Sequence, residues 1–105
     1  IKGAFCLLDK AKILTGPGQP YLTRYRLQTR AITLNNLGCL MKRWGKPRVG
    51  IRYLSKAISI EARCQDPDNP AGTHLNMSAA LSGIGLHQKA AFHAGAAVDL
   101  ATEAL

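Results

Sequence analysis

Histidine and cysteine are the side chains that could hold a metal or act as a nucleophile in this chain. There are three of each, and they are spread along the sequence: His74, His87, His93, Cys6, Cys39 and Cys64. His87 and His93 are six residues apart, so on a helix they face different sides, and no glutamate completes a metal triad. The cysteines form no CxxC pair, which predicts free, partly buried thiols in a reducing compartment.

Cysteine catalysis needs a base beside the thiol, and no histidine stands at a recognisable spacing from Cys39. We therefore expect Cys39 to be a small packing residue. Gly83-Ile84-Gly85 lacks the Lys-Ser/Thr of a phosphate loop and is better explained as a turn. Asp66 and Asp68 could begin a calcium loop, but Pro70 breaks the pattern and no closing glutamate follows. The sequence predicts no catalytic residue, no metal site, no cofactor and no enzyme activity.

Charge is concentrated in the middle of the chain. Fourteen Lys and Arg face six Asp and Glu, giving a net charge of +8, and ten of the basic residues lie between Arg24 and Arg63, where Glu61 is the only acid. A basic region of this kind attracts an acidic peptide, nucleic acid or an anionic membrane, or is simply a solvated surface. No apolar run approaches the roughly 20 residues of a membrane span, so we expect no membrane partner.

Arginine and tyrosine alternate in Arg24, Tyr25, Arg26 and Arg30, a pattern that favours nucleic acid or an acidic surface. Base-reading repeats carry recurring polar pairs in every unit, and the second half of the chain has no equivalent basic set. Nucleic acid is therefore the less favoured partner.

Helical periodicity accounts for the elements that would position these residues. Apolar or small residues recur at three- and four-residue steps in Leu34, Leu37, Gly38, Met41 and Trp44, which predicts one face of a helix that ends at the turn glycine of position 45. An extension over 21–30 precedes this helix, and the Gly/Pro-rich stretch 16–20 precedes the extension as a linker.

Three more helices follow the same pattern. Pro47 suits the first turn of a second helix, which presents Gly50, Leu54, Ala57 and Ile58 on one side. Asn69 before Pro70 is a candidate N-cap of a third helix, which carries Leu75, Met77, Ala80 and Leu81. A fourth helix is expected from about His87 through Leu100. No alternating strand pattern competes, so the predicted fold class is all-α.

The sequence also matches itself when it is shifted by 40 residues. The identical pairs are Ala31 and Ala71, Thr33 and Thr73, Asn36 and Asn76, Gly45 and Gly85, and Ala57 and Ala97. Residues 3–14 reproduce the small–large–small spacing of the second helix. We therefore divide the chain into the second helix of a truncated upstream repeat (1–15), a linker with a helix extension (16–30) and two repeats (31–70 and 71–105), and expect it to be part of a longer array.

These repeats resemble the tetratricopeptide repeat, whose pattern places small residues where antiparallel helices cross. Leu34, Leu37, Gly38, Gly45 and Ala57 carry the resemblance in the first repeat. The 40-residue period exceeds the family's usual 34, and together with the phrase Thr-Leu-Asn-Asn-Leu-Gly at 33–38 it is similar to the kinesin-light-chain type of repeat. The resemblance implies an α-solenoid segment that is a scaffold for protein binding, in a cytoplasmic or cytoskeleton-associated setting.

The resemblance also places Asn36 and Asn76 on the inner face of the repeats, where an amide can hold the backbone of a bound peptide. The alternative is that these residues only cap or hydrate the groove. Lys42 and Arg43 could pair with acidic side chains, or they could merely stabilise the negative end of the helix dipole. Some members of this family bind a carboxylate through a Lys and an Asn on the first helix of a repeat. Here Asn35 and Cys39 stand at those two positions, so the sequence does not match that carboxylate clamp well.

The candidate partner-binding residues are Asn35, Asn36, Cys39, Lys42, Arg43 and Asn76. The expected partner is a protein or peptide. The positive charge of the middle of the chain favours an acidic partner. Two other functions remain open at this point: self-association, and a regulatory helical array of a larger enzyme or cytoskeletal complex.

Overall fold

A computed structural model describes residues 20–64 and 66–103, and in this part of the chain every regular element is a helix. The four helices are α1 (Pro20–Arg43), α2 (Pro47–Arg63), α3 (Pro70–Gly83) and α4 (His87–Glu103). The all-α prediction is confirmed. The expected upstream helix at 3–14, Cys6 and most of the linker lie outside the described residues. Pro20, which we assigned to the linker, is instead the first residue of α1, a position where its missing N–H costs nothing.

The turn inside each helical pair is set by a glycine. Gly45 and Gly85 have φ of 78° and 85°, a region that glycine enters without steric cost. At the first turn, Lys46 N donates to Met41 O (2.8 Å) and Gly45 N donates to Lys42 O (3.1 Å). Leu86 and Gly85 make the same two bonds at the second turn. Both turns are Schellman motifs 40 residues apart, so α1–α2 and α3–α4 are two equivalent antiparallel hairpins.

Small residues let the helices of the first hairpin cross at close range. A Cβ added to Gly50 would lie 2.6 Å from Gly38 O, and one added to Gly38 would lie 2.6 Å from Leu54 Cγ. The second hairpin has Ser78 and Ala90 at the corresponding places, and there Ser78 Oγ donates to Ala90 O at 2.8 Å. The same crossing point is therefore filled by glycine contact in one hairpin and by a hydrogen bond in the other.

The hairpins meet mainly through α2 and α3. The core at this junction contains Leu54, Met77, Ala80, Leu81 and Ala90, with Ile51 and Ile58 packed against it. Asn69 caps α3, since its side chain accepts a bond from Gly72 N at 3.0 Å, which confirms the predicted N-cap. Trp44 departs from its predicted place on the buried face and is 66% exposed, because α1 ends at Arg43 and Trp44 belongs to the turn.

Candidate functional site

The first helices of the two hairpins are joined by a bond between asparagine amides. Asn76 Nδ2 on α3 donates to Asn35 Oδ1 on α1 at 3.0 Å, and both side chains are half-buried. Each amide keeps further donors or acceptors beyond this bond, because a primary amide has two N–H groups and two lone pairs. The pair therefore offers hydrogen-bonding capacity at the boundary between α1 and α3.

The other candidate residues on α1 extend from this pair in two adjoining rows. Cys39 and Lys42 follow Asn35 at four and seven residues, so they lie on the same side of the helix. Cys39 is a half-buried free thiol, whereas Lys42 is exposed. Asn36 and Arg43 form the neighbouring row, and both are exposed. We call the surface formed by Asn35, Asn36, Cys39, Lys42, Arg43 and Asn76 the amide face.

Asn36 and Asn76 hold the same place in the 40-residue register, yet their surroundings differ. Asn76 has α1 beside it and reaches Asn35, whereas Asn36 is exposed. Among the described residues, no helix lies beside α1 in the place that α1 takes beside α3. The structure thus brings Asn76 together with Asn35, and not with Asn36.

A second bond ties α1 to the connection between the hairpins. Gln28 Nε2 donates to Asp66 O at 2.9 Å. Gln28 is seven residues before Asn35, so both polar links leave from the same side of α1. Asp66 and Asp68 are exposed in this connection.

The charge on the first hairpin is more one-sided than the residue count suggests. Glu61, its only acid, is 7% exposed and lies at the α2–α3 junction. Burial raises the pKa of its carboxyl, a hydrogen bond with Thr73 opposes the rise, and the charge of Asp68 adds to it. The basic side chains of α1 and α2 are exposed, apart from the half-buried Arg26. The accessible charged groups on this hairpin are therefore all positive.

Glu61 and Thr73 form a buried polar pair that the sequence did not reveal. Thr73 Oγ1 lies 3.0 Å from Glu61 Oε2 and 3.1 Å from Asn69 O. The hydroxyl is the donor in both contacts, and because it has one proton, Glu61 Oε2 and Asn69 O share that proton. Glu61 Oε1 is buried and has no hydrogen-bond partner in the described part of the chain, which further disfavours the charged carboxylate.

Two histidines meet across the second hairpin. His74 Nδ1 lies 2.8 Å from His93 Nδ1, the rings stack with centroids 5.0 Å apart, and Phe92 packs edge-on against His93. The contact is a hydrogen bond only if one nitrogen carries a proton and the other does not. Burial lowers the pKa of both rings, and the charge of His93 lowers that of His74 further.

The sequence analysis did not reveal this pair, because spacing along one helix relates only His87 to His93. Folding the chain about the turn at Gly85 brings His74 opposite His93, and that signal was available once the hairpin was predicted. Within 20–64 and 66–103, three or more His, Cys, Asp or Glu side chains nowhere gather as a metal site would require.

The two described cysteines are free and half-buried, which confirms that prediction for Cys39 and Cys64. Burial raises the pKa of the Cys64 thiol, the charge of Glu61 raises it further, and Arg63 acts in the opposite direction. A raised pKa disfavours the nucleophilic thiolate. Among the described helices, none is long and apolar enough to cross a bilayer.

Comparison of the chain with protein-family profiles, with curated protein sequences and with solved structures finds no match.

Proposed function

We propose that the chain is a segment of a tetratricopeptide-like solenoid, and that it binds an extended, acidic peptide of a partner protein on the amide face. The observation that carries this proposal is the Asn76–Asn35 bond, which sets two amides side by side between α1 and α3. Two features support the solenoid: the matching Schellman turns at Gly45 and Gly85, and the packing of α2 on α3, which joins consecutive hairpins.

Backbone capture fits the chemistry of these amides. An extended peptide presents alternating N–H and C=O groups, and an asparagine can donate to one and accept from the other without reading the peptide's sequence. The Asn35–Asn76 bond restricts the rotation of both side chains, so less side-chain entropy is lost when a peptide binds. Exposed Asn36 adds a further amide in the neighbouring row of α1.

Charge supports an acidic partner. Lys42 and Arg43 follow Asn35 and Asn36 about two turns further along α1. The accessible charges of the whole first hairpin are positive because Glu61 is buried. Such a field raises the association rate of an acidic peptide, and salt screens that effect. The α1 part of the amide face contains no acidic side chain, because α1 has no Asp or Glu in its sequence.

The test is selection of peptides from a random display library, followed by binding of the selected peptides in fluorescence anisotropy. We expect enrichment in Asp and Glu, and at least about tenfold weaker binding to Asn35→Ala and Asn76→Ala, which corresponds to about 1.4 kcal/mol. Gln88→Ala removes an exposed amide from α4 and is the matched control. Unchanged affinity in both asparagine variants, with selected peptides in hand, would falsify the proposal.

Nucleic acid is the second candidate, and the exposed Tyr25 among the arginines of α1 is the observation that favours it. Single-stranded RNA would stack on this ring, and its affinity would fall steeply with salt. Binding of an oligouridylate that is lost in Tyr25→Ala, together with failure of the peptide selection, would replace the first proposal by this one.

A further inference from the structure

The outer face of α2 carries a row of cations that lies on a different helix from the amides of α1 and α3. Its members are exposed and follow one another at four, four and seven residues, so they share one side of the helix: Arg48, Arg52, Lys56 and Arg63. The opposite side of α2 carries the buried Gly50, Leu54 and Ala57. We call the four cations the α2 stripe. At 1.5 Å of rise per residue, the stripe is about 22 Å long.

The α2 stripe does not stabilise the helix that carries it. Arg48 and Arg52, and Arg52 and Lys56, are like-charge pairs four residues apart, a spacing at which repulsion destabilises a helix. Arg48 is also the second residue of α2, near the positive end of the helix dipole, where a cation is unfavourable. Only Arg63, in the last turn, suits the dipole. Helix stability therefore does not explain the stripe, whereas a bound anion would relieve its repulsion.

The second hairpin shows that the fold does not need these cations. In the 40-residue register, the counterparts of the α2 stripe on α4 are Gln88, Phe92, Ala96 and Glu103. None of them is basic, yet α4 follows the same Schellman turn and forms an equivalent hairpin with α3. The stripe is thus a property of the first hairpin, and the repeat architecture does not require it.

A shallow cavity lies against the middle of the stripe. Its volume is about 580 Å³, and the described residues that line it all belong to α2: Val49, Arg52, Tyr53, Ser55, Lys56 and Ser59. The polar side chains in this lining are a guanidinium, an ammonium and hydroxyls, all of which can donate hydrogen bonds. Glu61 is the only acid within 20–64, and it is buried at the α2–α3 junction. The described lining therefore suits an anion with several acceptor oxygens.

We propose that the α2 stripe and this cavity bind a ligand that carries several phosphate groups in a row. A phosphate group presents three strong acceptor oxygens, so it can take bonds from Arg52, Lys56 and a serine hydroxyl together. Several phosphates are needed because one group cannot reach cations at both ends of a stripe about 22 Å long. Single-stranded RNA and inorganic polyphosphate share this chemistry. The proposal stands independently of peptide binding on the amide face.

Fluorescence anisotropy with labelled oligouridylate and with labelled inorganic polyphosphate tests the proposal and distinguishes the two sources. We expect at least one probe to bind, and Lys56→Glu to weaken its binding by at least about tenfold, because this change reverses a charge at the centre of the stripe. Lys89→Glu is the matched control, since Lys89 is an exposed lysine of α4. Asn35→Ala should leave binding of both probes unchanged. Circular dichroism verifies that the variants remain folded.

Salt dependence measures how many cations contact the ligand. For oligouridylate, the logarithm of the affinity should fall against the logarithm of the salt concentration with a slope of about −3, because each of the four contacts contributes about −0.7 on a single strand. Lys56→Ala should make this slope shallower by about 0.7, whereas Lys89→Ala should not change it.

Three results would overturn the proposal. The first is failure of both probes to bind, and the second is an equal loss of affinity in Lys56→Glu and Lys89→Glu. The third is a polyglutamate peptide that binds as tightly as the phosphate probes and loses its affinity in Lys56→Glu, which would assign the stripe to an acidic protein.

Discussion

Replacement of Gly50 by alanine tests whether the close crossing of α1 and α2 depends on glycine. The added Cβ would lie 2.6 Å from Gly38 O and 3.3 Å from Lys42 N. Both are backbone atoms of α1 and cannot rotate away as a side chain would. The helices must therefore separate, which also loosens the contact of Leu54 with Gly38.

The magnitude follows from two opposing effects. Overpacking a close contact costs about 1–3 kcal/mol, and a contact with backbone belongs in the upper part of that range. Alanine in place of glycine inside a helix regains about 1 kcal/mol. We therefore expect Gly50→Ala to lower the free energy of unfolding by about 1–2 kcal/mol.

Urea denaturation followed by far-UV circular dichroism measures the change. Gly83→Ala is the matched control, because Gly83 is helical and its added Cβ would meet nothing within 4 Å. Without a clash, alanine at this position should stabilise the chain by up to about 1 kcal/mol. If both variants were stabilised equally, the crossing would have room for a methyl group, and the reasoning from the Gly38–Gly50 contact would be refuted.

Three further substitutions test buried and capping polar groups. Glu61→Gln should raise the free energy of unfolding, increasingly as pH rises above 4.5, because a raised pKa means that stability is lost once the folded carboxyl must ionise. His93→Gln should flatten the loss of stability that the wild type shows as pH falls below 6.5, because lowered pKa values of His74 and His93 make the folded state resist protonation. Asn69→Ala should lower the free energy of unfolding by about 1 kcal/mol, because the side chain that caps α3 is lost.

Exposed residues of the same type supply the controls for the two pH-dependent variants. Glu103→Gln is the matched control for Glu61→Gln, and His87→Gln is the matched control for His93→Gln. Profiles of Glu61→Gln and wild type that run parallel from acid to neutral pH would contradict the assigned role of the buried carboxyl. An unaltered slope below pH 6.5 in His93→Gln would contradict the lowered pKa assigned to His93.

The helix boundaries were predictable because local chemistry determines them. Gly45 and Gly85 end helices through a backbone conformation that other residues resist. Pro47 begins one, and Asn69 caps another with its own side chain. Each of these signals involves residues within a few positions of one another, so a single sequence is enough to read them.

Contacts between the hairpins were not predictable in the same way. The register equated Asn36 with Asn76, but the bond that forms is between Asn76 and Asn35, because it depends on the angle at which one hairpin sits on the next. The burial of Glu61 has the same origin: its neighbours on α2 give no sign that Thr73 will cover it. Repeat spacing defines equivalent positions, whereas packing angles decide which of them touch.

The two hairpins are joined by one broad contact and one narrow one. α1 and α3 touch much less than α2 and α3 do, and the Asn35–Asn76 bond belongs to the narrower contact. A change in the angle between the hairpins about α2–α3 would therefore change the separation of the two amides. A peptide bound to both amides, as proposed above, would hold that angle and with it the curvature of this part of the chain.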